Sequence, residues 1–167
     1  MARVSVKIGS LTADWAAACR NAVTHLNAVF RTRHIKVVLE ANGSSGPAIA
    51  VKTDASILGN AVHGRTTSEF NTADGMLRAE IRLPVSVAIN TPSGQRNAGP
   101  GILEVIVGHE LIHALGHDKH NSHLMAQTMQ KEMGDRAAQD RLRAGTIYLP
   151  PLSLSDESVR TLQSIWA

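Results

Sequence analysis

Gly108-His109-Glu110-Leu111-Ile112-His113-Ala114-Leu115-Gly116-His117-Asp118-Lys119-His120 is the stretch on which the reading of this chain turns. From Ile102 to Leu115 apolar residues run nearly all the way round the helical wheel, and the polar exceptions are Glu104, His109, Glu110 and His113. A helix apolar on every side is expected inside a core. Gly116 follows where a left-handed residue commonly ends a helix. Two histidines and a glutamate inside such a helix would be unsatisfied buried polar groups unless a metal or substrate uses them.

The flanking sequence supplies a frame. From Thr12 to Phe30 the apolar residues Trp15, Cys19, Ala22, Leu26 and Val29 or Phe30 recur at steps of three and four, which predicts a helix with one buried face, Thr12 as its N-cap and Asp14 in its first turn. Ile35–Leu39 and Ala48–Val51 read as short strands joined by the loop Asn42-Gly43-Ser44-Ser45-Gly46-Pro47. In Met76–Leu83, Leu77, Ala79, Ile81 and Leu83 alternate with Arg78, Glu80 and Arg82, the pattern of a strand buried on one face. Pro84 interrupts before Val85–Ile89, so this pair of strands is expected at a sheet edge, where a missing N–H is tolerated. Residues 91–101 read as a loop, 127–144 as a charged surface helix, and Asp156–Trp166 as a final helix capped by Ser155 with Val159, Leu162, Ile165 and Trp166 facing inward. The whole, 1–167, reads as one α+β domain, a small twisted mixed sheet packed against an N-terminal helix and a buried active-site helix, with a C-terminal helix.

Composition narrows the classes of function. At 167 residues and 43% hydrophobic content the chain can bury one core, and with 3% aromatic residues that core must be aliphatic. Seventeen Lys and Arg against fourteen Asp and Glu are scattered along the chain, which does not support a nucleic-acid partner. The single cysteine, Cys19, can form no internal disulfide and is expected to be a small buried apolar residue. The start lacks the apolar run of a signal peptide, and no stretch has the length of a membrane span. Synthesis in the cytoplasm and no membrane partner are therefore expected, with non-classical export or incorporation into an assembly left open, as is the oligomeric state.

Histidine is the unusual residue. Five of the eight histidines, His109, His113, His117, His120 and His123, lie within one short segment. Histidines four apart on a helix sit one above the other, so His109 and His113 can converge on one ion, with Glu110 on the same side. In the zinc-peptidase form of this motif the glutamate is not a ligand; it takes a proton from the water that the ion activates. A catalytic zinc takes three protein ligands, and the third can come from the segment after Gly116, where the chain leaves the helix.

At this point the chain resembles the metzincins, and among them the matrixin-like zinc peptidases, whose signature is His-Glu-x-x-His-x-x-Gly-x-x-His followed by a Met-turn. The leading amphipathic helix, the strand containing Ile81, the Ala114-Leu115-Gly116 helix end, the Leu124-Met125 pair and the closing Leu154-Ser155-x-x-x-Ser158 to Trp166 segment all resemble the matrixin catalytic-domain plan. The resemblance implies one catalytic Zn2+, Glu110 as general base, and a peptide or protein substrate. The third histidine of the signature would fall at Lys119, so this chain departs by an insertion or a deletion. His120 arrives one residue late, His117 directly follows Gly116, and His123 is a third candidate. Met125 is either the methionine beneath the metal or an ordinary core methionine such as Met129 or Met133. No Pro-Arg-Cys-Gly-like segment encodes cysteine latency, since Cys19 lies on the first helix. His63 reads as a surface histidine.

Two other readings stay open. Glu132 in Glu132-Met133-Gly134-Asp135 can serve as third ligand, as in gluzincin-type zinc peptidases. Alternatively, a zincin-like fold can act as a non-catalytic structural or binding component of a larger assembly, against which the presence of Glu110 argues, because a structural zinc site has no use for a general base. Residues 83–90 and the loop after Met125 are the expected sources of substrate specificity.

Overall fold

The computed structural model describes residues 1–59, 64–71, 76–91, 94–126 and 152–167. The expected 127–144 helix, His63, Met129, Glu132 and Met133 lie outside these residues. The described elements run β1 (Ala2–Lys7), α1 (Ala13–Thr32), β2 (Val37–Ala41), β3 (Ala48–Thr53), β4 (Arg65–Asn71), β5 (Met76–Leu83), β6 (Ala88–Thr91), β7 (Gly94–Asn97), α2 (Pro100–Ala114) and α3 (Asp156–Ile165). β1–β5 form a mixed sheet in the order β2-β1-β3-β5-β4, in which β4 alone is antiparallel to its neighbour.

The α+β architecture, the mixed sheet and the helices at both ends agree with the pattern read from the sequence. α1 presents Trp15, Cys19, Ala22, Leu26 and Phe30 to the core, and α2 packs against it while also touching β4 and β5. On β5 the buried residues Leu77, Ala79, Ile81 and Leu83 alternate with exposed Arg78 and Arg82 and half-buried Glu80. The outer side carries ion pairs such as Lys52–Glu80 at 2.7 Å and Arg82–Glu80 at 2.6 Å; exposed pairs of this kind add little stability. Cys19 is fully buried, and its burial pushes the thiol up to about 12, leaving it protonated and unreactive at neutral pH.

Several expectations are corrected. The N-terminal residues Ala2–Lys7, not read as an element, form β1 between β2 and β3, because Val4 and Val6 are completely buried and Ser5 satisfies its hydroxyl on the Gly43 carbonyl at 2.8 Å. β5 is not at the edge: β4 lies outside it, and Pro84 follows the end of β5, where its carbonyl accepts the Trp15 indole N–H at 2.9 Å. The resumed strand pairs instead within the expected loop, as the β6–β7 hairpin of a separate two-stranded sheet. Thr12 does precede α1, but its side chain makes no capping bond; its carbonyl accepts the Ala16 N–H at 2.8 Å. Ser155 does cap α3, accepting from the Ser158 N–H at 3.1 Å. Among the described residues no helix is long and apolar enough to cross a membrane.

Candidate metal centre

α2 opens with Pro100 in its first turn, where a missing N–H costs nothing, and buries nearly all of its length. Its end is set by Gly116 at φ +100°, which an L side chain rarely adopts. The Gly116 N–H then bonds the His113 carbonyl at 2.9 Å and the His117 N–H bonds the Ile112 carbonyl at 3.3 Å, the paired bonds of a Schellman end. The Trp166 indole N–H takes the Leu115 carbonyl at 3.0 Å. The chain thus turns off the helix with its last carbonyls satisfied, and the following segment is directed back over the His109–His113 face.

Each helical histidine is oriented by a main-chain carbonyl. His109 Nδ1 lies 2.7 Å from the Leu124 oxygen, and His113 Nδ1 lies 2.7 Å from the His117 oxygen. A carbonyl only accepts, so Nδ1 carries the proton in both rings and Nε2 presents a lone pair. Those Nε2 atoms are 3.0 Å apart, and His120 Nε2 lies 3.2 Å from that of His113. All three donor atoms fall within 4.8 Å of one another. Lone pairs facing at this range repel unless a cation stands between them. A tetrahedral zinc with Zn–N bonds of about 2.0–2.1 Å would set its ligand nitrogens about 3.3 Å apart, which the His109–His113 and His113–His120 separations of 3.0 and 3.2 Å approach.

Electrostatics agree with a cation site. Burial holds the His109 imidazolium down to about 4, with His113 and His120 opposing its charge further, so the ring is neutral near pH 7. Burial, followed by the proximity of His113 and His117, also lowers His120. The carbonyls that orient His109 and His113 complete the outer layer typical of histidine ligands to metals.

The remaining candidates separate cleanly. His117 is 1% exposed, contributes its carbonyl to His113, and has no hydrogen-bond partner for either ring nitrogen among the described residues. His123 is exposed, sits at φ +57° and contacts the Ser122 hydroxyl at 2.9 Å. Neither joins the three-histidine group. Met125 is completely buried in a tight turn, its carbonyl accepting the Asn121 N–H at 2.8 Å, directly after the Leu124 carbonyl that orients His109. Asn121, next to His120, is tied to α3 by its amide to Ser158 Oγ at 2.9 Å and by the Ser155 hydroxyl to its Oδ1 at 3.1 Å.

Glu110 is buried beside these rings, and burial raises its carboxyl above the ordinary range, opposed by the Thr66 hydroxyl and by His113. Thr66, on β4, donates to Glu110 Oε2, and Gly64 lies against the same carboxylate. Sequence reasoning missed both. They are 44 residues or more from Glu110, Thr66 in a polar strand with no apolar pattern to flag it and Gly64 just before that strand.

Neither a scan against protein-family models nor a search of curated proteins finds a match to this chain.

Proposed function

We propose that this chain is a zinc-dependent metalloendopeptidase, with His109, His113 and His120 as metal ligands and Glu110 as general base. The observation that carries the reading is the convergence of three Nε2 atoms within 4.8 Å, on the helix where the buried Glu110 carboxylate stands next to the first of them. A zinc ion held there would supply the Lewis acid that polarises a water molecule and a scissile carbonyl. Glu110 takes one proton from that water as its oxygen bonds to the carbonyl carbon. As the C–N bond breaks, Glu110 returns the proton to the leaving amine. His109 and His113 need no side-chain partner to hold their tautomer, since main-chain carbonyls do so.

β4 is the edge strand of the sheet and pairs only with β5 among the described residues, while its Thr66 reaches Glu110. An extended peptide adding to this free edge would run past the carboxylate, which makes β4, rather than residues 83–90, the strand that aligns substrate.

Hydrolysis of a mixed peptide library, read by mass spectrometry with zinc content measured in parallel, tests the proposal. Wild type is expected to cleave, a chelator to stop it, and Glu110→Gln to keep its zinc while turnover falls at least about a hundredfold. Bound zinc without cleavage by wild type would favour the non-catalytic structural reading instead.

A further inference from the structure

We infer that Thr66, seated beside Gly64, is a positioning residue that clamps the Glu110 carboxylate, engaging Oε2 and leaving Oε1 as the proton-accepting oxygen. The catalytic half of this inference rests on the hydrolase reading above; the clamp itself does not.

α2 carries two buried carboxylates, and they are handled differently. Glu104 meets the half-exposed His25 of α1, an ordinary polar partner across a helix pair. Among the described residues Glu110 meets no cationic side chain through a hydrogen bond; it meets one hydroxyl, from the edge strand. That hydroxyl lies 3.3 Å from the Glu110 main-chain oxygen and closer still to Oε2. A hydroxyl has one proton, and the ionised, nearer acceptor makes the stronger bond, so the carboxylate receives it. Oε1 has no hydrogen-bond partner among the described residues.

Gly64 completes the clamp. A Cβ there would stand 2.8 Å from Glu110 Cγ, 2.8 Å from Oε1 and 2.9 Å from Cδ, inside contact distance for all three atoms. The backbone does not require glycine at this position, because the described glycines with positive φ are Gly46, Gly94 and Gly116. The carboxylate requires it. Gly64 and Thr66 are two residues apart, so both address the same side of an extended chain. One therefore supplies clearance over Oε1 while the other holds Oε2. A glutamate side chain with this many rotors would otherwise sample several orientations, and a base misplaced by about an ångström loses much of its effect.

Thermal unfolding of the metal-free protein tests the clamp without any turnover. Thr66→Val is expected to lower the midpoint by roughly 3 to 8 °C when Glu110 is present and by no more than about 1 °C in a Glu110→Ala background. Gly64→Ala is expected to lower it in the first background and to be tolerated in the second, where the clash is gone. Equal shifts in both backgrounds, for either variant, would overturn the clamp. With zinc bound, Thr66→Val should reduce kcat about tenfold and change KM less than about twofold at unchanged zinc affinity, and Thr66→Ser should restore kcat. Unchanged kcat in Thr66→Val, or a loss not restored by Thr66→Ser, would overturn the positioning role. If wild type cleaves no peptide yet the midpoints remain coupled, the hydrolase reading fails and the clamp stands.

Discussion

His113 and His120 put their Nε2 atoms 3.2 Å apart, yet the protein holds the two rings in different ways. His113 sits on a buried helix with its Nδ1 proton fixed on the His117 carbonyl, whereas His120 is an exposed residue of an irregular segment, tied down through its neighbour Asn121 to Ser155, Ser158 and the Met125 carbonyl. Ordering a loop side chain costs entropy at the moment of binding, while a helical ring already locked by a carbonyl has met that cost during folding. The comparison teaches that equal donor atoms need not contribute equally: the helix pair should dominate affinity, and the loop ring should complete the coordination.

The largest expected effect follows directly. His113→Ala should weaken zinc binding by more than about a thousandfold, beyond the 10–100-fold typical when only an outer partner of a ligand is lost. His120→Ala should weaken it by a smaller factor, on the order of a hundredfold. Competition with a chromogenic chelator at fixed pH reads both. Equal losses would erase the distinction between helix and loop, and no loss in His120→Ala would bring Glu132 forward as third ligand.

A second measurement sharpens the helix side through pH. His109 is held near 4 in the folded state against an ordinary value of 6.5, so the unfolded chain binds its proton more tightly. Its contribution to stability is whole above pH 6.5 and is lost as pH falls toward 4, on the order of 3 kcal/mol in metal-free protein. Glu110 works in the opposite sense: its raised carboxyl favours folding at low pH and that gain disappears as pH rises. Metal-free Glu110→Gln should therefore lose stability on acidification through this window more steeply than wild type. Parallel denaturation curves for the two proteins at pH 4.5 and 6.5 would contradict the assignment.

The smallest effects belong to the histidines outside the cluster. His117→Ala and His123→Ala should each leave zinc affinity within about threefold, because the His117 carbonyl remains in place and His123 is solvated. His117→Leu should raise the thermal midpoint by about 2–4 °C, since it removes two buried nitrogens that have no hydrogen-bond partner among the described residues. A fall in the midpoint would show that the imidazole is needed where it lies.

How much of this was legible beforehand depended on where the signal resides. α1, β5 and α2 were visible because burial imposes a period on their apolar residues, and Gly116 was visible because few residues tolerate its backbone angle. β1 escaped because its alternation rests on only two valines, Val4 and Val6, among Arg3, Ser5 and Lys7, and nothing local reveals that the buried Ser5 is satisfied by Gly43, 38 residues away. β4 escaped for a stronger reason, since Arg65-Thr66-Thr67-Ser68-Glu69 has no apolar stripe at all and owes its conformation to pairing with β5. The two helical candidates could be read from spacing alone. The choice among His117, His120 and His123 could not, because the path of a loop is fixed by distant contacts such as those of α3.

The parallel pairing of β1 with β2 and β3 has a consequence for how the chain reaches this state. Ser5 must find both Glu40 and Ala48, and β3 must then find β5, so the sheet assembles through contacts distant in sequence and is expected to form slowly. The three candidate ligands, by contrast, span only His109 to His120. Zinc can therefore reach two or three of them before the sheet exists, and an ion bound to the unfolded chain subtracts from the stabilisation it gives the native one. The order in which metal and fold arrive is thus a kinetic choice, and refolding first and loading zinc afterwards avoids capture of the open chain.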